Sequence, residues 1–208
     1  NYSNDEIKDL NYCVNDANAF KNYLNKQQDS FKSVNIQEFF NQQATSAKIT
    51  KSLAYYLAGA RRDDIVIIYF AGHGRTDPTQ VPFLLMYESD PSNLLGTALE
   101  MERISDIIKD RIVSQKTIVI ADACHSGGIG SDFRGISGPD LYTEFGNKMK
   151  QYSGKAILTA SRARELSQEI PEFKHGVFTY YLIEGLNGKA DKDKNNVVTL
   201  SEIFDYVF

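Results

Sequence analysis

"IVIIYFAGHGR", residues 65–75, is the stretch that decides how this chain folds. Seven hydrophobic residues follow one another from Ile65 to Ala71, and the run then breaks into Gly72-His73-Gly74. A strand with one wet face alternates in polarity, whereas a run that is apolar on both faces suits a parallel strand covered by helices on each side. "TIVIADACHSGG", residues 117–128, repeats the arrangement. Its apolar run ends at Ala121, and Asp122, Cys124 and His125 follow on the approach to a glycine turn.

Helical periodicity surrounds these two strands. Cys13, Ala17, Phe20 and Leu24 share one helical face, as do Ile49, Leu53, Tyr56 and Ala60, and a third set is Val177, Phe178, Tyr181 and Leu182. Residues 34–39, 83–87 and 155–160 read as shorter strands, and Leu200, Ile203, Phe204 and Val207 as the apolar face of a last helix. Strands alternating with helices give an α/β domain with a mainly parallel sheet, and residues 1–208 suffice for one such domain.

Composition narrows the function classes. The chain carries 27 acidic against 23 basic residues, so no basic excess recommends nucleic acid as a partner. No apolar run reaches the length of a membrane span and no leader-like segment opens the stretch, so no membrane association is expected. Cys13 and Cys124 do not make a disulfide framework, which favours a reducing, cytoplasmic location. Three histidines are too few for a histidine-rich metal cage.

In open α/β sheets, reactive groups gather beyond the carboxyl ends of the strands. His73 and Cys124 occupy two such ends, 51 positions apart. Either one alone is more simply a packed or hydrogen-bonded side chain. Together, on equivalent strand ends, they point to a thiol nucleophile and its base. Alternation along neighbouring strands turns Ala71 and His73 to one face, and Asp122 and Cys124 likewise. His125 follows Cys124 directly and so points away from it, which leaves His73 as the expected base. The glycines beside His73 let the backbone approach a substrate, making the N–H of Gly74 a candidate oxyanion donor.

"YFAGHG" and "DACHSGG" resemble the histidine and cysteine motifs of the caspase-like cysteine peptidases, and most of all those of the metacaspase and bacterial caspase-like branch. The likeness extends from "LNYCVNDANAF" (10–20) through "GVFTYYLIEGL" (176–186) to the final helix. It implies a three-layer α/β/α fold and an endopeptidase acting on protein or peptide substrates. In it Cys124 attacks the scissile carbonyl, His73 moves the protons, and the N–H groups of Gly74 and Cys124 hold the oxyanion. Water then hydrolyses the thioester.

The resemblance also implies a pocket for a basic side chain just before the cut. Asp122 and Asp16 supply its charge, with Cys13, Ala71 and Ser161 lining it, and Tyr12 stands where the family pattern has glycine. The plainer readings are a helix N-terminal charge for Asp16 and a turn cap for Asp122. A rival pocket uses Arg162 or Arg164 to select an acidic residue. Self-cleavage after Arg134, Lys148 or Lys150, in or just after the glycine-rich stretch 126–140, is expected. The family pattern begins with a buried mid-sheet strand ending where residue 1 stands, and the last helix stops abruptly. A missing first strand, a truncated last helix and an upstream or downstream regulatory domain are therefore expected.

The dyad chemistry requires no cofactor. Asp191, Asp193, Asn195, Thr199 and Glu202 match the ligand spacing of a calcium loop, with Asn196 in place of its glycine. A polar turn capping the last helix is the plainer reading of this stretch, and calcium activation is the alternative. The contrasting class is an inactive homologue serving as an interaction module, which would be expected to have lost His73, Gly74 or Cys124.

Overall fold

The computed structural model describes residues 1–125, 154–159 and 169–208. Its spine is β1 (Ile65–Thr76), the strand announced by the long apolar run. The later strand β4 (Lys116–His125) lies parallel to it, in register from Ile65 opposite Lys116 to Gly74 opposite His125. β2 (Pro82–Leu84) turns back antiparallel on the last residues of β1, and β3 (Leu99–Glu100) pairs antiparallel with β2. β5 (Lys155–Thr159) lies parallel on the far side of β4, so the sheet order is β3-β2-β1-β4-β5.

Both faces of the two long strands are apolar because helices cover both. Val66, Ile68 and Phe70, with Val119, Ala121 and Ala123, meet one helical layer. That layer comprises α2 (Ser46–Lys51), which runs on through the turns Ser52–Tyr56 and Leu57–Gly59, and α4 (Met101–Arg111), which follows the short α3 (Leu94–Thr97). Met101, Ile104, Ser105 and Ile108 form the buried stripe of α4, at helical spacing. Ile67, Tyr69, Ile118 and Ile120 meet the other layer, built from α1 (Cys13–Asn25), α5 (Val177–Glu184) and α6 (Leu200–Val207). Phe20, Phe178, Leu182, Ile203 and Val207 are its buried anchors, each worth about 1.5–3 kcal/mol of transfer free energy. The result is the three-layer α/β/α arrangement.

A third apolar cluster decides where the N-terminal segment lies. Ile7 and the partly buried Tyr2 pack with Phe83, Leu85, Leu94 and Ala98 beside the carboxyl end of β1. The N–H of Ser3 donates to the carbonyl of Tyr87 at 2.8 Å, and that of Leu85 to the carbonyl of His73 at 2.8 Å.

Several elements differ from the sequence reading. Residues 34–39 form no strand. No backbone hydrogen bond ties them to a strand among the described residues. The N-terminal part of β1 is correspondingly less covered than its apolar run predicts. Among the described residues, no strand pairs Ile65–Gly72 on the side away from β4, and Ile65 is 44% exposed. A cavity of about 1030 Å³ opens along this edge, walled by Ile36, Phe39, Leu53, Ile68 and Met86. β2 stops at Leu84 rather than running to residue 87, and Leu200 lies exposed at the start of α6 rather than on its packed face. A small hairpin, β6 (Glu169–Ile170) with β7 (His175–Gly176), was not expected. Among the described residues no helix is long and apolar enough to cross a membrane.

Candidate active site

The parallel register of β1 and β4 sets His73 opposite Cys124, Ala71 opposite Asp122 and Gly74 opposite His125. His73 is buried, with 2% of its surface exposed. Its Nε2 lies 2.8 Å from the carbonyl oxygen of Lys8. A carbonyl only accepts, so Nε2 carries the proton and Nδ1 keeps its lone pair. Nδ1 is buried and has no hydrogen-bond partner among the described residues. Tyr2 fixes the ring plane by stacking at 5.3 Å, and its hydroxyl accepts the backbone N–H of His73 at 2.8 Å. Burial lowers the imidazole pKa, which keeps the ring neutral and basic near neutral pH.

Asp122 projects from β4 toward α5 and is 5% exposed. The hydroxyl of Thr179 donates to its Oδ2 at 2.6 Å. Thr179 has one proton to give, so the Tyr69 hydroxyl, 2.6 Å from Thr179, is the donor in the next link. The relay Tyr69–Thr179–Asp122 ties β1, α5 and β4 together. Burial raises the Asp122 carboxyl to about 7; the Thr179 bond opposes that shift and the nearby Asp16 adds to it.

Asp16 stands in the first turn of α1, as the helix-charge reading has it, yet it is 2% exposed and turned inward. Its carboxylate accepts the N–H of Gly176 at 3.1 Å and lies 2.7 Å from Nδ1 of His175. Burial raises it to about 6 against the lowering effect of those two partners. A side chain on Gly176 would begin 3.0 Å from Asp122 Oδ2 and 3.3 Å from Asp16 Oδ2, closer than side chains ordinarily pack, so both carboxylates crowd this one position. Glu169 of β6 closes the arrangement by accepting the N–H of Tyr12 at 2.7 Å and the side-chain amide of Asn11 at 3.0 Å. The hairpin thereby caps α1 from outside, since Tyr12 has no side-chain cap of its own to offer.

Cys13, the first residue of α1, and Ala71 line a neighbouring cavity of about 240 Å³. Gly74 is buried where β1 gains β2 as its second neighbour. Ser161, Arg162, Arg164, Arg134, Lys148 and Lys150 lie outside the described residues. Sequence reasoning had not singled out Lys8, Tyr2, Tyr69, Thr179, His175 or Gly176 for these contacts. Thr179 alone carried a signal, as a hydroxyl inside the apolar run "VFTYYL" (177–182).

The acidic loop before α6 does bring Asp191, Asp193 and Glu202 close enough to share a cation. Those carboxylates are engaged by the loop itself. Asp191 takes the N–H groups of Asn195 at 3.1 Å and Asn196 at 2.8 Å, and Glu202 takes that of Lys192 at 3.1 Å. Thr199 and Glu202 form a capping box on α6. Asn196 adopts the left-handed backbone, φ +64°, that a glycine would otherwise supply.

Against known proteins, the caspase-domain family model matches residues 1–207. A paracaspase of Dictyostelium discoideum is 25% identical over 210 residues, which is 94% of this chain and 44% of that protein. The chain thus spans under half the length of that curated relative. The crystal structure of protein GSU0716 from Geobacter sulfurreducens superposes with a TM-score of 0.57 at 16% identity, covering 86% of this chain and 73% of the other. At that identity the superposition speaks for the fold alone.

Proposed function

The chain belongs to the caspase-domain family of cysteine peptidases, and from that premise we propose that it is an endopeptidase cutting after Arg or Lys through a His73–Cys124 dyad. His73 takes the thiol proton on Nδ1, the nitrogen left free when Nε2–H donates to Lys8. The Cys124 sulfur bonds to the scissile carbonyl carbon, and the N–H groups of Gly74 and Cys124 receive the oxyanion. Collapse breaks the C–N bond, and the leaving amine takes the proton from His73. Water, deprotonated by the same imidazole, then attacks the thioester and returns the thiol. Nucleophile and proton carrier are both side chains of the chain, so the sequence of steps draws on no cofactor.

One observation carries the choice of substrate: two buried carboxylates, Asp16 and Asp122, lie side by side, both within 3.3 Å of where a Gly176 side chain would begin, next to the strand ends that bear His73 and Cys124. A guanidinium or ammonium group satisfies both carboxylates, whereas an acidic side chain would add a third negative charge. The test is cleavage of a positional peptide library by the chain and by its Cys124→Ala variant, with and without calcium. Cutting after Arg and Lys that disappears in the variant is the expected result. Cutting after Asp would transfer the specificity to Arg162 or Arg164. Calcium-dependent cutting would bring the Asp191–Asp193–Glu202 loop into the activation step.

A second reading, a latent peptidase, is favoured by the edge of β1 that is unpaired among the described residues and by the large cavity beside it. Iodoacetamide separates the two readings. A Cys124 that alkylates rapidly in a chain that cuts nothing marks a formed dyad held without turnover.

A further inference from the structure

We propose that the two-residue strand β7, His175–Gly176, is a specificity-determining element of the basic pocket: His175 holds the Asp16 carboxylate in place, and the absence of a side chain on Gly176 leaves the Asp16 and Asp122 carboxylates undisplaced. The proposal rests on the basic-pocket reading above and extends it to residues outside the two carboxylates.

The geometry divides the work between the two residues. His175 Nδ1 sits 2.7 Å from Asp16 Oδ1, and the Gly176 N–H lies 3.1 Å from Oδ2 and 3.3 Å from Oδ1. Two adjacent residues of one strand therefore hold both oxygens of a carboxylate that belongs to another element. The imidazole is partly exposed at 25%, while Asp16 is nearly enclosed at 3%. His175 thus links solvent to a buried anion. The other groups facing Asp16 do not replace it: Asp122 from β4 and Glu169 from β6 are carboxyl groups that bring no positive charge, Tyr69 from β1 is a neutral phenol, and Cys13 lies on its own helix. Gly176 has φ −67° and ψ 142°, a backbone that alanine adopts without strain. Glycine is therefore not required by conformation here. What an added methyl meets is carboxylate oxygen on both sides, at 3.0 Å and 3.3 Å.

The variants are His175→Ala, His175→Asn, which keeps a side-chain N–H donor, and Gly176→Ala. Each is assayed on paired peptides ending in Arg or norleucine before the cut. The Asp16 carboxyl is also titrated by 13C NMR in the Cys124→Ala background. His175→Ala is expected to raise KM for the Arg peptide about tenfold or more, with a smaller change in kcat, and to move the Asp16 titration upward by about one unit, a tenfold change in proton affinity. His175→Asn restores most of both. Gly176→Ala raises KM for Arg and not for norleucine. An unmoved Asp16 titration in His175→Ala, or equal losses on both peptides, overturns the proposal. Loss of Cys124 alkylation by iodoacetamide in step with kcat/KM also overturns it, since the strand would then serve the dyad. If the unaltered chain does not prefer Arg, the pocket reading fails by that result alone, and the NMR titration still decides the role of His175.

Discussion

Replacing Asp122 by Asn should make the protein more stable at pH 8 and leave its stability at pH 4 nearly unchanged. Asn keeps an oxygen for the Thr179 hydroxyl, 2.6 Å away, and removes only the ionisable proton. The Asp122 carboxyl rises from 3.8 to about 7 on folding, chiefly through burial. Between those two values the folded chain holds a proton that the unfolded chain has released. Stability therefore falls as pH rises through this window and levels off above about 7. Three pKa units at 1.36 kcal/mol each correspond to about 4 kcal/mol, a large fraction of the roughly 5–15 kcal/mol that holds a domain folded. The assay is urea unfolding of Cys124→Ala chains, with Asp or Asn at 122, at pH 4, 5, 6, 7 and 8. The gap between the two should open from near zero to several kcal/mol in favour of Asn. Parallel curves, or a less stable Asn variant at pH 8, would refute the claim that Asp122 is folded at a cost in order to be available for a cation.

Two further outcomes follow from the same contacts. Thr179→Val removes a hydrogen bond to the Asp122 carboxyl and strands the Tyr69 hydroxyl; the folded chain should lose about 1.5–3 kcal/mol of stability, read by urea unfolding in the Cys124→Ala background. Native-state hydrogen exchange should show Ile65–Gly72 amides that point away from β4 exchanging well before the amides of Ile118–Ala121, which lie between β1 and β5; equal protection would mean the edge is covered.

The parts of this architecture that depend on local pattern were readable in the sequence. β1, β4 and β5 appear as apolar runs because strands covered on both faces need no polar residues, and the stripe of α1 and the start of α5 show as helical spacing. Residues 34–39 show the limit of such reading. Their composition suits a strand, but a strand forms only where its backbone pairs with another, and whether it does is a property of the whole fold. The site divides in the same way. His73 and Asp122 are marked by their places at the ends of apolar runs. The contact between Asp16 and His175 spans 159 positions, and no local spacing announces it. The carbonyl of Lys8 was invisible for a different reason, since every residue carries one, and only the folded N-terminal segment brings this one to the histidine.

If Asp16 and Asp122 form the proposed pocket and His73 and Cys124 the proposed dyad, the two raised carboxyls also determine how pocket and dyad share the pH range. With Asp122 at about 7 and Asp16 at about 6, the empty pocket holds close to one proton at about pH 6.5, and roughly half a proton at pH 7, where a basic side chain would sit. A guanidinium entering that space favours the ionised form of both carboxylates, so binding releases the proton. Below these pKa values, each further unit of acid must weaken Arg binding by up to about tenfold for every proton released. His73 faces the opposite constraint, because it must be neutral to accept the thiol proton, and its burial lowers its pKa below the ordinary histidine value. The acidic limb of kcat/KM for a basic substrate should therefore be set by the pocket carboxylates, and that of Cys124 alkylation by the imidazole. Measured on one preparation, the two limbs should separate, with the peptide limb at the higher pH. Coincident limbs would mean that one group controls both, and the carboxylates would lose their role in recognition.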